Sequence, residues 1–398
     1  MQSAARFGFA RLLGKYAVAA RSIPAADQAI ALAPSDAEAH RARARVLSRS
    51  QQPAEARKSF EIASSLRHRD DYLWIELGST RDEQGDTAAA LAAFDQAVRY
   101  APYYAHTLWQ RGNLKLRLGQ YDAAFADLRA AAASKNSLMP SLIDLAYGVT
   151  RGDAKAVAQL IQVANDQDRL AFARFLAQKG KGNECLKQAR LLGTSLSDQN
   201  RRELVQQLIA AKAFSAAFEL WRTDRSLKSP VISNGGFEEP LQPFVDTGFN
   251  WYVFPKSEAV IAADEGQKLS GGKSLRVGFL AGDWKAAEGD VIFQRIIVDS
   301  QRRYRVNFGV KTKDLVSGVP PAVVITDAAS KERLGRSEVF PTPSSDWQRM
   351  SFEFTTMATS EAVVLQLMRV ERSVDPIFGE LWLDDFVIEY VGTVNPQR

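Results

Sequence analysis

An internal repeat of 34 residues limits what this chain can fold into more than any other feature. Shifted by 34 positions, Trp74, Ile75, Glu76, Leu77 and Gly78 fall on Leu108, Trp109, Gln110, Arg111 and Gly112. In the same register Ala90, Phe94 and Ala97 fall on Ala124, Leu128 and Ala131, and backwards on Ala56, Phe60 and Ala63. A fixed period of this length means one supersecondary unit copied in tandem, each copy burying its apolar face against the next. The 3.6-residue apolar spacing predicts two antiparallel helices per copy. Gly78 and Ala90 are small enough for the helices to approach, and Phe94 fills the gap to the following copy. Gly85 and Asp86 turn the chain, and Pro102 stops the second helix.

The unit from Asp71 to Tyr104 resembles the tetratricopeptide repeat, whose signature spacing is occupied by Trp74, Leu77, Gly78, Ala90, Phe94, Ala97 and Pro102. The resemblance implies a right-handed α-α superhelical solenoid. Flanking units are degenerate. Residues 3–36 keep Pro34, but Pro24 sits within the expected second helix and should bend or shorten it. Further helix pairs are expected near 139–165, 168–192 and 197–225, for about six or seven pairs in residues 1–225. In such solenoids the first helix of each pair lines a concave groove that holds partners. The inward positions here are Arg41, Arg45, Tyr72, Ile75, His106, Trp109, Asn113, Ile143 and Tyr147. Aromatic residues beside Arg and Asn suit a peptide or an extended polymer. The bland alternative is that Trp109 and Tyr147 pack between repeats.

After a short linker at 226–230 the texture changes to alternating runs at 274–279, 303–310, 322–326, 349–354, 362–367 and 381–388, separated by turn residues. That pattern predicts an antiparallel β-sandwich over 231–392, with a tail at 393–398 and a first strand after Val231 pairing near the last. Five motifs in order are similar to the jelly-roll carbohydrate-binding modules. They are Asn234-Gly235-Gly236-Phe237-Glu238; Gly271 to Leu275; Gln294 with Tyr304 to Phe308; Trp347 before Phe352-Glu353-Phe354; and Gly379 to Phe386. The resemblance implies a sugar ligand and a structural calcium at Glu238 and Asp384, helped by main-chain oxygens near Asn234 and Lys273. Calcium takes six to eight hard oxygens; without metal the two acids would cap turns. Aromatic faces beside polar groups suit sugar rings. The candidates are Trp251, Tyr252, Trp284 and Phe378, with Gln294, Asn307, Arg369 and Glu371 as polar partners. Trp347 and Trp382 are assigned to the core. Partly buried loop anchors are the alternative for Trp251 and Trp284.

Charge divides with the architecture. Residues 230–398 hold 18 Lys and Arg against 23 Asp and Glu, a balance of −5, leaving 33 against 23, or +10, on residues 1–229. An acidic partner for the first half is one reading, and solvated helix faces are the other. The cationic residues are dispersed and no nucleic-acid reading motif appears, so nucleic acid is not an expected partner. Cys185 is the single cysteine, which excludes an intramolecular disulfide and a thiolate metal cluster. No apolar run reaches the ~18 residues of a membrane span, and residues 1–21 interleave Arg and Lys with Phe and Leu instead of forming a secretory signal.

Catalysis is not expected. His40, His68 and His106 are separated by the repeat, and no phosphate loop, dinucleotide fingerprint or His-Glu-x-x-His occurs. Asp384 and Asp385, adjacent on a strand, should point to opposite faces. The sequence therefore suggests a non-catalytic adaptor: the solenoid takes a protein partner and the sandwich a glycan or envelope component, as in bacterial polysaccharide assembly. Cell envelope or periplasm is the expected location, cytoplasm the alternative. A structural scaffold with a ligand-free sandwich is the second reading, and a glycoside-acting enzyme the third.

Overall fold

The computed structural model describes residues 2–222, 230–241, 248–253, 259–279, 291–369 and 376–393. Its fourteen described α-helices precede its ten described strands, a helical solenoid type followed by an antiparallel sandwich. The chain divides into two compact units, residues 1–168 and 169–398.

The first unit is built of helical hairpins: α1 (Gln2–Ala20) with α2 (Ile23–Leu32), α3 (Ala37–Arg49) with α4 (Pro53–Leu66), α5 (Asp71–Glu83) with α6 (Thr87–Tyr100), α7 (Ala105–Arg117) with α8 (Tyr121–Ser134), and α9 (Met139–Val149) with α10 (Ala154–Ile161). The glycines of the repeat are sites of contact. A Cβ built on Gly78 would lie 2.8 Å from Phe94 Cε1, and one on Gly112 would lie 2.8 Å from Leu128 Cγ. Ala56, Ala90 and Ala124 are fully buried at the matching second-helix positions. Polar caps start several helices: Asp86 Oδ1 accepts from Ala89 N, and Asp153 Oδ1 accepts from Lys155 N at 2.9 Å. Pro24 does not bend α2. Ser22 caps that helix and Pro24 stands in its first turn, where no N–H is needed, so the proline sets the start and α2 is short.

The second unit begins within α11 (Asp166–Gln178) and continues with α12 (Gly182–Leu192), α13 (Asp198–Ala210) and α14 (Phe214–Trp221). Its strands are β1 (Tyr252–Val253), β2 (Ala259–Asp264), β3 (Ser274–Phe279), β4 (Ile292–Ile297), β5 (Arg302–Val316), β6 (Pro321–Asp327), β7 (Arg333–Arg336), β8 (Ser345–Thr355), β9 (Ala362–Arg369) and β10 (Phe378–Thr393). They form two five-stranded sheets, ordered β1-β4-β9-β6-β7 and β2-β3-β10-β5-β8, and every pair is antiparallel. Alternate residues of both sheets, among them Val277, Val306, Phe308, Leu365, Leu383 and Phe386, meet in one apolar core.

No strand forms just after Val231. Asn234 and Phe237 take left-handed backbone around a turn closed by Phe237 N to Asn234 O. A single bond from Phe386 N to Gly235 O at 3.0 Å ties this segment to β10. A Cβ on Gly235 would lie 2.2 Å from Phe386 O, so only glycine permits that approach.

The outer face of the first sheet is covered from within the same unit. Phe214 of α14 sits in a cluster with Phe293, Ala328, Ala362 and Val364, flanked by Ile209, Tyr252 and Ile297. Around it Lys212 Nζ donates to Ala329 O at 3.0 Å, and Ser215 donates to Glu361 Oε2 through its N–H and its hydroxyl. The expected linker at 226–230 lies within the compact unit 169–398, whose helix α14 packs on the first sheet.

Candidate binding sites on the two units

On the sandwich, the outer face of β8-β5-β10 carries a polar pocket of about 520 Å³. Alternation sends Tyr304, Val306 and Phe308 of β5 inward and Arg305 and Asn307 outward. Asn307 lies opposite Val387 of β10 and Ser351 of β8. Asn307 Nδ2 donates to Glu389 Oε2 at 3.3 Å, and Arg349 Nη2 donates to Asp385 Oδ2 at 3.1 Å. Val387 is exposed and gives the pocket an apolar spot. The arrangement presents an amide, a guanidinium, two carboxylates and a hydroxyl around a patch of sheet, which can hydrogen-bond a polyhydroxylated ligand.

A loop over 265–273 closes the neighbouring part of this face. Asp384 Oδ2 accepts from Leu269 N at 2.8 Å and Ser270 N at 3.2 Å, while Glu238 Oε1 accepts from Gly272 N at 2.8 Å and Lys273 N at 3.3 Å. The two acids at 384 and 385 do not face opposite ways. A bulge follows Asp384, Asp385 takes left-handed backbone, and its Oδ1 accepts from the Ser270 hydroxyl, so both carboxylates reach the same loop residue.

Glu238 and Asp384 stand together beside Gly236. Among the described residues no group of three or more His, Cys, Asp and Glu is placed to hold a metal. The pair itself suits a cation in charge. Burial pushes the Asp384 carboxyl above the usual carboxylate range, against the pull of three main-chain N–H groups, and no cation pairs with it among the described residues. Of the main-chain oxygens near Asn234, that of Asn234 itself already accepts from Trp251 Nε1 at 3.0 Å and from Phe237 N.

The sugar candidates are not gathered into one site. Trp251 is 4% exposed, wedged between Phe237 and Phe386, and its indole N–H is spent on Asn234 O. It belongs to the core, and no sugar ring can stack on it. Gln294 is wholly buried and holds both the N–H and the carbonyl of Ser233. Arg369 is 1% exposed, with Nε on Val319 O and Nη2 on Ser317 Oγ, so it fixes that turn. Tyr252 packs on Phe293 beneath α14. Phe378 is exposed but lies opposite Val316, seven residues along β10 from Asp385, the nearest residue of the pocket. Asn307 alone lies in the polar pocket. Trp284 and Glu371 lie outside the described residues. Trp382, assigned to the core, is buried on the outer face, where its Nε1 donates to Asp264 Oδ2 at 2.8 Å.

In the first unit, Arg41 and Arg45 stand one turn apart on α3 and both grip Glu76 of α5, with Nε to oxygen distances of 2.6 and 2.7 Å. Arg41 also lies 5.9 Å over the Tyr72 ring. The Tyr72 hydroxyl is 2.8 Å from that of Tyr104, whose ring meets His106 edge-on. A pocket of about 460 Å³ opens here, with Arg11, Lys15, Arg67 and Glu38 beside Arg41 and Arg45; Arg67 and Arg41 pair with Glu38, and Arg11 with Asp36. The structure thus joins Arg41, Arg45, Tyr72 and His106. Ile75 and Ile143 are core residues instead, because their helix faces pack on neighbouring helices. Trp109 is half-buried beside the Ala105, Leu108 and Ala131 cluster, and its carbonyl takes the Asn113 amide. Tyr147 is half-buried against the Gly152 turn. Glu76 and Tyr104 were not singled out from sequence. Their charge and hydroxyl gain meaning only once adjacent repeats are stacked.

Two family models match this chain. Residues 229–369 match the model of a carbohydrate binding domain. Residues 72–104 match that of the tetratricopeptide repeat. A 65-residue stretch is 37% identical to Protein FlbA of Caulobacter vibrioides, covering 16% of this chain and 11% of that relative. The chain thus spans about a tenth of the length of the curated relative it matches. Similar solved structures include the Pseudomonas aeruginosa pilF protein (15% identity, 54% of this chain and 99% of that one, TM-score 0.37). Others are MamA (15%, 44% and 94%, TM-score 0.37) and a CBM4 structure (16%, 40% and 100%, TM-score 0.31).

Proposed function

We propose that this chain is a non-catalytic adaptor: the sandwich binds a glycan on the outer face of β8-β5-β10, and the helical repeats bind a protein partner. The observation that carries the glycan half is the polar pocket of Asn307, Ser351, Arg349, Asp385 and Glu389 around Val387, on a sandwich whose residues 229–369 match a carbohydrate-binding model. Its mixture of charged donors and acceptors with little aromatic surface suits a polar or charged polysaccharide more than a crystalline, apolar one. A role in bacterial polysaccharide assembly fits that pairing. For the protein half, the arginine-rich pocket between Arg11 and Arg67, which Glu38 also lines and Tyr72 borders, favours an acidic or aromatic-bearing segment that competes with the internal ion pairs.

Native affinity electrophoresis of the full chain tests the glycan half, run through gels that contain neutral or acidic polysaccharides. Retardation by one polysaccharide, reduced by Asn307→Ala, supports the assignment. Unretarded migration in every gel contradicts it. A scaffold whose sandwich carries no ligand is the second reading, and the burial of Trp251 favours it. Calcium at Glu238 and Asp384 belongs to this proposal as well. The buried Asp384, which no cationic side chain faces among the described residues, supports it, and the ion would lock the 265–273 loop against β10.

A further inference from the structure

A third cavity lies among the last helices of the second unit and shares no residue with the pocket on β8-β5-β10. It measures about 820 Å³ and opens between the end of α12, the start of α13 and the end of α14. Three arginines and one acid line it: Arg190, Arg201, Arg222 and Glu219. Glu219 is already engaged, because Arg222 Nη2 donates to it at 2.7 Å. The nearest acid along α13, Glu203, accepts from Arg174 at 2.5 Å and turns its charge there. Arg190 and Arg201 thus have no ion-pair partner among the described residues. Arg201 is half-buried, and its Nε is shut off from water without an acceptor. A guanidinium held by packing, with no carboxylate to satisfy it, is left underused at a place where an anion would repay the desolvation.

The remaining wall is apolar. Leu186, Leu196 and Leu220 line the same space. A volume of this size is far beyond a bare ion or single water (about 30 Å³) and falls in the range of small-molecule sites. A lining that mixes guanidinium groups with leucines asks for a ligand that has both a charged group and an apolar face. We infer that this cavity binds a compact organic anion, a body the size of a sugar ring carrying one carboxylate or one phosphate, with Arg190 and Arg201 as its charge clamp. Charge-assisted bonds from two guanidinium groups would set orientation, and the leucines would take the C–H face. None of the residues involved belongs to the sheet pocket, so the two sites can be tested apart.

The test is titration calorimetry on the full chain at low ionic strength, with glucuronate, glucose 1-phosphate and glucose as the three probes. Saturable 1:1 binding of either anion, with glucose silent, is the expected result, and the anion that binds tells carboxylate from phosphate. Added salt should weaken it. Arg190 is exposed, so Arg190→Gln keeps the fold and should weaken binding at least threefold. Arg190→Gln with Arg201→Gln should weaken it at least tenfold, with near-ultraviolet circular dichroism unchanged. If the double variant loses its tertiary signal, the single variant and Arg201→Lys, which keeps the charge, decide the matter. Absence of binding by both anions, equal binding of glucose, or affinity indifferent to Arg190→Gln overturns the proposal.

Discussion

Replacing Phe214 by alanine strikes the contact between α14 and the first sheet. Phe214 is 4% exposed and packs on Phe293, Ala328, Ala362 and Val364. Truncating a buried phenylalanine removes its transfer free energy and leaves a cavity, together about 3–5 kcal/mol. The neighbouring polar ties contribute less, because Ser215 and Lys212 are exposed and each such bond is worth about 1 kcal/mol. For a unit of this size the loss should lower the midpoint of thermal unfolding by about 10 °C. Circular dichroism in the near ultraviolet reads it, because Tyr252 and Phe293 sit at the contact. The same reasoning says that residues 226–398 alone leave an apolar sheet face bare. That fragment should bind a hydrophobic dye and melt earlier than residues 169–398. A Phe214→Ala midpoint within 2 °C of the parent, or two fragments of equal stability with no dye binding, would refute this reasoning.

Other outcomes follow from the same geometry. Gly112→Ala should cost about 1–3 kcal/mol in urea unfolding, since the new methyl meets Leu128 Cγ at 2.8 Å and Ala124 O at 3.2 Å. Gly148→Ala in α9 meets nothing within 4 Å and should be neutral or stabilising by up to about 1 kcal/mol. Burial pushes the Asp264 carboxyl up, but the Trp382 indole N–H and the N–H groups of Gly266 and Gln267 outweigh it, and the net shift is downward. Its stabilisation is therefore complete above the unfolded carboxylate value and lost as the pH falls through the depressed folded one. Asp264→Asn should destabilise by about 1 kcal/mol at pH ~7, with the gap closing as the pH falls below the ordinary carboxylate range; a constant gap would contradict it. If calcium sits at Glu238 and Asp384, millimolar calcium raises the melting midpoint and Asp384→Asn abolishes the rise. A midpoint indifferent to calcium and chelator rejects the ion.

The repeat was legible because its signal is local and periodic. Gly78 under Phe94 and Gly112 under Leu128 are the contacts that the 34-residue register implies. The sandwich strands were legible from alternation for the same reason. What sequence could not place were side chains whose role depends on distant chain. Trp251 looks like an exposed aromatic in a polar loop, yet the turn at Asn234 to Phe237 folds over it and takes its indole N–H. Asp384 and Asp385 follow the period-two rule until a bulge rotates the second one back. Phe214 reads as an ordinary apolar helix residue, and nothing near it announces that its partner is Phe293, 79 residues away. The polar pocket was found through Asn307 alone, because Arg349, Ser351, Asp385 and Glu389 converge only after β8 and β10 pair with β5.

The most direct test of the central claim is a glycan array probed with the full chain, beside Asn307→Ala and Arg349→Ala. The account predicts a narrow set of polar or charged glycans bound by the parent, with signal lost at least tenfold in both variants and folding unchanged. Binding that survives both substitutions, or a folded parent that binds no glycan, would contradict it.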